Sequence, residues 1–173
     1  MYVPGSTVKV CQLTGETGKE FNRPTTSQTE KRYGLFGTDE GHSFQHNGVT
    51  YFLFGDSQPT ATFDGAPNAQ TDSPRIAEDN DAIGWVSDTS AGPDLKLNFI
   101  TDSSGAFWNP VVLDSRGKPA ISLRANETPI AGIGDGERMF AMFGTDNFLS
   151  NPADGPASPD GAATRSVMAV SGV

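Results

Sequence analysis

Asn47-Gly48 constrains this chain more than any other pair of residues. Both positions tolerate φ > 0, and Asn-Gly between strand formers is the strongest signal for a two-residue β-hairpin turn. It is followed by Val49–Phe54, a six-residue run of β formers that reads as a strand buried on both faces. It is preceded by Gly37–Asn47, so Gly37–Ser57 is expected to fold back on itself. A regular register about this turn pairs residues whose numbers sum to 95. Phe44 then opposes Tyr51, His42 opposes Leu53, and Asp39 opposes Asp56. Directly opposed like charges on a sheet destabilise it. Close carboxylates also push each other's proton affinities apart, which leaves one as acid and one as base. Asp39 and Asp56 are therefore the candidate catalytic pair. A bulge near Gly41 would break this register and leave each aspartate capping a turn.

The rest of the chain is consistent with an all-β fold. No run of apolar residues recurs at helical spacing. The 20 glycines and 12 prolines among 173 residues suit many turns. Residues 1–36 read as an N-terminal segment with one short strand, Thr7–Leu13. Residues 37–125 form a first unit. It contains the hairpin, a long polar loop over 58–80, a third strand at Asp81–Asp88 and a fourth at Leu95–Thr101. Phe107–Leu113 and Ala120–Leu123 are shorter strand candidates. Residues 126–173 repeat the pattern. A second hairpin is expected to turn at Asp135-Gly136, Phe143-Gly144 echoes Phe54-Gly55, and Ser166–Val170 echoes Ile83–Ser87. Repeated hairpin, loop and third strand suggest blades of a β-propeller, which closes with about 4–8 four-stranded blades. This sequence accounts for about two blades of such a propeller, the second incomplete. The missing remainder of a propeller, or self-association through exposed edges and faces, is then an expected partner.

The repeat adds a further carboxylate. With the second turn at Asp135-Gly136, Glu127 takes the place of Asp39 and would look into the same central cavity. It is a candidate substrate-binding residue, unless it is simply a solvated residue before a strand. His42 lies nearer that cavity than His46, which adjoins the turn, and is a candidate for substrate contact. Trp85 and Trp108 are candidates for stacking on sugar rings, although tryptophan in a strand more often belongs to the core. Asp79-Asn80-Asp81 resembles part of a calcium loop. Ile83 stands where an oxygen ligand is needed, so no EF-hand is expected. Asp81 remains a candidate for substrate binding, and a structural cation such as calcium is left open. Otherwise no cofactor is expected, and no phosphate-binding or nucleophile-elbow motif is present.

Charge and cysteine content remove several functions. The net charge is −9, whereas nucleic-acid binders present basic faces that neutralise phosphates. An anionic membrane surface is an equally poor partner. The single cysteine, Cys11, permits no internal disulfide and no CxxC metal site. No apolar stretch is long enough to span a bilayer, and no signal peptide is visible.

Gly37-Thr-Asp-Glu-Gly41 with Phe44, then Tyr51-Phe-Leu-Phe-Gly-Asp56, Asp81-Ala-Ile-Gly84 and Glu127-Thr-Pro-Ile130 together resemble the domain-of-unknown-function 4185 family. That resemblance spans roughly residues 33–172, with the first hairpin its specific part. It implies a five-bladed β-propeller, glycoside hydrolase activity of the endo-D-arabinanase kind, and a secreted or cell-surface location. It also implies that Asp39 and Asp56 are the acid and base, and that the whole protein is about twice this length. The reaction expected is hydrolysis of a furanoside polysaccharide or oligosaccharide. The alternatives are a carbohydrate-binding propeller without catalysis, and a structural subunit that assembles through its strand edges.

Overall fold

The turn at Asn47-Gly48 forms as its sequence dictates. Asn47 and Gly48 both adopt positive φ, 49° and 77°, the type I′ geometry whose twist matches the flanking strands. In a computed structural model of the chain, the described residues are 5, 9–60, 81–87, 92, 94–108, 112–113, 119–121, 129–145 and 165–170. In chain order the elements are β1 (Thr17–Gly18), β2 (Arg23–Pro24), α1 (Thr29–Tyr33), β3 (Leu35–His46), β4 (Val49–Pro59) and β5 (Ala82–Val86). They continue with β6 (Asn98–Phe99), β7 (Val112–Leu113), β8 (Pro119–Ile121), β9 (Pro129–Asp135), β10 (Arg138–Thr145) and β11 (Arg165–Val170). The chain is all-β, with antiparallel sheets and, among the described residues, one short helix.

The first sheet is a four-stranded meander ordered β3-β4-β5-β6. Its register fixes two faces, because cross-strand partners share a face and alternate residues do too. One face carries Phe44, Tyr51 and Trp85 in a row, then His42, Leu53 and Ile83 in the next. The opposite face carries Phe52, Gly84 and Phe99 in a row, flanked by Phe54 and Ala82. This second face holds the main core, in which Leu35, Phe54, Ala82, Val86, Leu97, Phe99 and Phe107 pack together. Gly84 is closely packed there. A Cβ at that position would lie 3.0 Å from the Leu97 side chain and 3.1 Å from the Phe54 ring.

The N-terminal segment and α1 cover this core, although not as a strand. Within the expected strand Thr7–Leu13, the described residues from Lys9 onward are irregular. Gln12 supplies the reason. Its side-chain amide donates to the Thr14 and Thr17 carbonyls and its oxygen accepts from the Lys19 amide. Such local side-chain bonds compete with strand pairing. The short strands form downstream instead, as β1 and β2. Arg32 then clasps the segment to the sheet. Its guanidinium donates to the Ser27 and Leu97 carbonyls at 2.9 and 3.0 Å, and to Asn98 Oδ1 at 2.6 Å. Buried Thr29 adds a second clasp by accepting from the Gly15 amide and donating to the Leu35 carbonyl.

The second sheet has three strands, ordered β11-β10-β9. Its hairpin turns one residue later than the sequence suggests. Asp135 pairs with Arg138, so Gly136-Glu137 is the turn. This places opposite charges directly across the hairpin, a favourable pair, and puts Gly136 where φ is +59°. The consequence is an offset of 89 between the hairpins, His46 corresponding to Asp135 and Phe54 to Phe143. That count no longer places Glu127 at the equivalent of Asp39, and Glu127 itself lies outside the described residues. β9 rests on the Phe44 face of the first sheet. A Cβ on Gly132 would fall 2.2 Å from the Phe44 ring, and one on Gly134 would fall 2.7 Å from the Gln45 carbonyl. The two glycines are what let the sheets approach.

Candidate functional site

The carboxylates gather at the end of the first hairpin farthest from its turn. Near the turn the register is as expected, with Phe44 opposite Tyr51 and His42 opposite Leu53. Beyond His42 it shifts, and Asp39 pairs with Gly55 rather than with Asp56. From His42 to Asp39, β3 uses three residues where β4 uses two. From Gly55 to Gln58, β4 uses three where β3 uses two. Two opposed bulges cancel, one around Gly41 and one at Asp56-Ser57. The strict opposition of Asp39 and Asp56 is therefore replaced by a one-residue stagger across adjacent strands. Bulges of this kind bend a strand and re-aim a side chain.

Asp56 carries unusual costs. Its φ is +42°, a left-handed conformation uncommon for a residue with a Cβ, although aspartate adopts it more readily than most. Its Oδ1 is buried with no hydrogen-bond partner, and an unsatisfied buried polar atom costs about 1–3 kcal/mol. Ser57, next in the chain, is fully buried and donates a long bond of 3.4 Å to the Gly55 carbonyl. A left-handed backbone and an unpaired carboxylate oxygen thus meet at one residue.

Asp81 completes the arrangement. Phe54 pairs with Ala82, so one further step of the same register sets Asp81 across from Gly55. Asp39, Gly55 and Asp81 then form one row over three strands. Strand spacing puts the backbones of Asp39 and Asp81 about 10 Å apart, with a residue lacking a side chain between them. Their surroundings differ, because Asp81 is buried and Asp39 exposed.

The other candidates are placed unevenly. His42 is exposed on β3, one rung nearer the turn than the row, and on the same face. His46 sits at the turn, where its Nε2 lies 3.1 Å from Asn47 Nδ2. Trp85 is half-buried opposite Tyr51 and Asn98. Four residues of strand separate it from Asp81, about 13 Å, so the structure does not bring it beside the carboxylates. Trp108 is half-buried and its backbone amide donates to the Ile100 carbonyl. Asp79 and Asn80 lie outside the described residues. Among the described residues, no group of three or more His, Cys, Asp or Glu side chains is placed to hold a metal ion.

A cavity of about 380 Å³ lies elsewhere, between residues 9–12 and 18–26, with Val10, Phe21, Arg23 and Asp94 in its wall. None of the carboxylates of the row lines it. What sequence reasoning missed was the place of Asp81 across from Gly55. The signal was available, because Asp81 directly precedes the β formers that pair with β4.

Compared with known protein families and with curated proteins, the chain matches no family model and no curated protein.

Proposed function

We propose that the chain carries a glycosidase-type carboxylate site built on Asp39 and Asp56, acting on a furanoside polysaccharide of the arabinan type. The observation that carries this reading is Asp56, held left-handed in a bulge with a buried oxygen unpaired. Natural folds place such costs where a group must act rather than rest. The second support is the neighbourhood. Asp39 lies on the adjacent strand, and the buried Asp81 lies on the other side of Gly55.

In the proposed reaction one carboxyl group protonates the leaving glycosidic oxygen and the other either attacks C1 or activates a water. Asp39 is the exposed member and Asp56 the constrained one. Carboxyl groups about 5–5.5 Å apart retain the anomeric configuration, and a gap of about 6.5–9.5 Å inverts it. Asp39 opposes Gly55, so Asp56 reaches the face of Asp39 only through the bulge at Asp56-Ser57, and the separation is left to the products to report.

The proposed architecture is part of a five-bladed β-propeller. It is supported by a four-stranded sheet, a three-stranded sheet stacked on it, and matching hairpins in both. The residues of the first hairpin resemble the domain-of-unknown-function 4185 family, which supports the same substrate class.

The test is release of reducing ends from arabinan by the chain and by its Asp39→Asn and Asp56→Asn variants. The reading predicts hydrolysis that falls at least about 100-fold in each variant, the scale of general acid–base assistance. Hydrolysis unchanged in both variants would refute the assignment. Sugar binding with no hydrolysis in any form would make the site a binding site only.

A further inference from the structure

The cavity between residues 9–12 and 18–26 contains none of the carboxylates of the row and is built on the β1–β2 hairpin. Thr17 pairs with Pro24 and Gly18 with Arg23. Residues 19–22 therefore turn the chain, with Asn22 left-handed at a φ of 47°. This short turn holds Phe21 out of the core and on the cavity wall. Phe21 is 77% exposed, and Val10 on the same wall is 48% exposed. An aromatic ring left in water forgoes the burial that most rings gain on folding.

The polar groups of the wall divide into those engaged within the fold and those left over. Gln12 is engaged with the Thr14 and Thr17 carbonyls and the Lys19 amide. The Thr25 hydroxyl donates to the Gly15 carbonyl and accepts from the Gln28 amide. These bonds form the wall in advance, so a ligand need not order it. Lys9 and Glu20 pair with each other at 3.3 Å. Arg23 and Asp94 are left over. Among the described residues neither side chain has an ion pair or a hydrogen bond. Gly18, directly opposite Arg23, has no side chain to cover it. One concavity thus holds a planar donor, a carboxylate acceptor and an open ring.

We infer that this cavity is a second glycan site, taking a short stretch of a neutral polysaccharide with one sugar face on Phe21 and its hydroxyls on Arg23 and Asp94. The charge of the wall selects the ligand. Lys9 and Arg23 balance Glu20 and Asp94, and the chain as a whole carries −9. An anion meets as much repulsion as attraction there. A neutral hydroxyl can donate to Asp94 and accept from Arg23 at once. The volume of about 380 Å³ lies within the ~300–1,000 Å³ range of small-ligand sites. That the polymer is a furanoside rests on the function proposed above; the donor, acceptor and ring do not. With few groups in contact the single site is weak, and a polymer that presents its unit many times is the suitable probe.

The experiment is affinity electrophoresis in gels holding arabinan, each run compared with a gel without it. The parent is the Asp39→Asn chain, to prevent turnover, and the variants add Phe21→Ala or Arg23→Ala. Both positions are exposed, and unchanged circular dichroism checks that each variant folds. Asp94→Asn tests the same site if either loses structure. The inference expects a retarded parent and an apparent affinity about 3–10-fold weaker in each folded variant. It also expects retardation to hold from about 50 mM to about 500 mM salt, as for a neutral ligand. A parent that is not retarded overturns it, as do variants retarded like the parent, or retardation that salt abolishes. Release of reducing ends judges the proposed reaction separately. Hydrolysis that needs Asp39 and Asp56, with retardation indifferent to Phe21 and Arg23, refutes this site alone. Retardation that needs Phe21 and Arg23, with no hydrolysis by the wild type, refutes the reaction alone.

Discussion

Asp56 is the residue on which strain, burial and proposed chemistry meet, and that makes it testable without any substrate. Replacing it with glycine removes the Cβ that the left-handed conformation penalises and the buried oxygen that lacks a partner. Asp56→Gly is expected to raise stability by about 1–2 kcal/mol in urea denaturation, while hydrolysis is lost. A variant that is less stable than the wild type would show that Asp56 has a structural role instead. The sequence made the pairing of their two strands legible, because the Asn47-Gly48 turn brings them together. It did not make the stagger legible. Glycine at 41 and at 55 permits a bulge without demanding one. Asp81 was nameable from sequence, yet its row position needed the β4–β5 register.

At the scale of elements, two close contacts hold the assembly together. Gly132 lets β9 approach the Phe44 ring, so Gly132→Val is expected to destabilise the chain by about 2–3 kcal/mol through overpacking. Phe44→Ala should recover part of that loss in a double-mutant cycle, since the residues touch. Additive losses would mean that the sheets are not packed through this pair. Arg32 ties α1 to the strand Asn98–Phe99, and Arg32→Ala leaves the Ser27 and Leu97 carbonyls without that donor. A loss of about 2–4 kcal/mol is expected, measurable by the same denaturation. A loss under about 0.5 kcal/mol, typical of a surface site, would contradict the clasp. The strands Val49–Phe54 and Ala82–Val86 were readable because runs of β formers ended at turn residues. The second turn was misplaced by one residue because Asp-Gly is a strong hairpin pair by itself, whereas the Asp135–Arg138 pairing emerges only once the strands are laid side by side. The N-terminal segment misled for a different reason. Gln12 draws backbone groups to its own amide, and nothing in an alternating pattern records that.

At the scale of the whole molecule, the all-β class followed from composition and turns, and the repeat followed from two similar hairpins. The stacking of one sheet on the other was not readable, since it rests on Gly132 meeting Phe44 across 88 residues of chain and on Gly134 meeting Gln45 and His46. The account turns on one claim, that the row of Asp39, Gly55 and Asp81 with its neighbour Asp56 is a carbohydrate site. Its most direct test is titration of the 15N-labelled chain, as the Asp39→Asn variant to prevent turnover, with arabinofuranose oligosaccharides. The account predicts amide shift changes that saturate and centre on residues 39–42, 55–57 and 81–83. Changes confined to the cavity around Val10 and Phe21, or no changes at millimolar ligand, would contradict it.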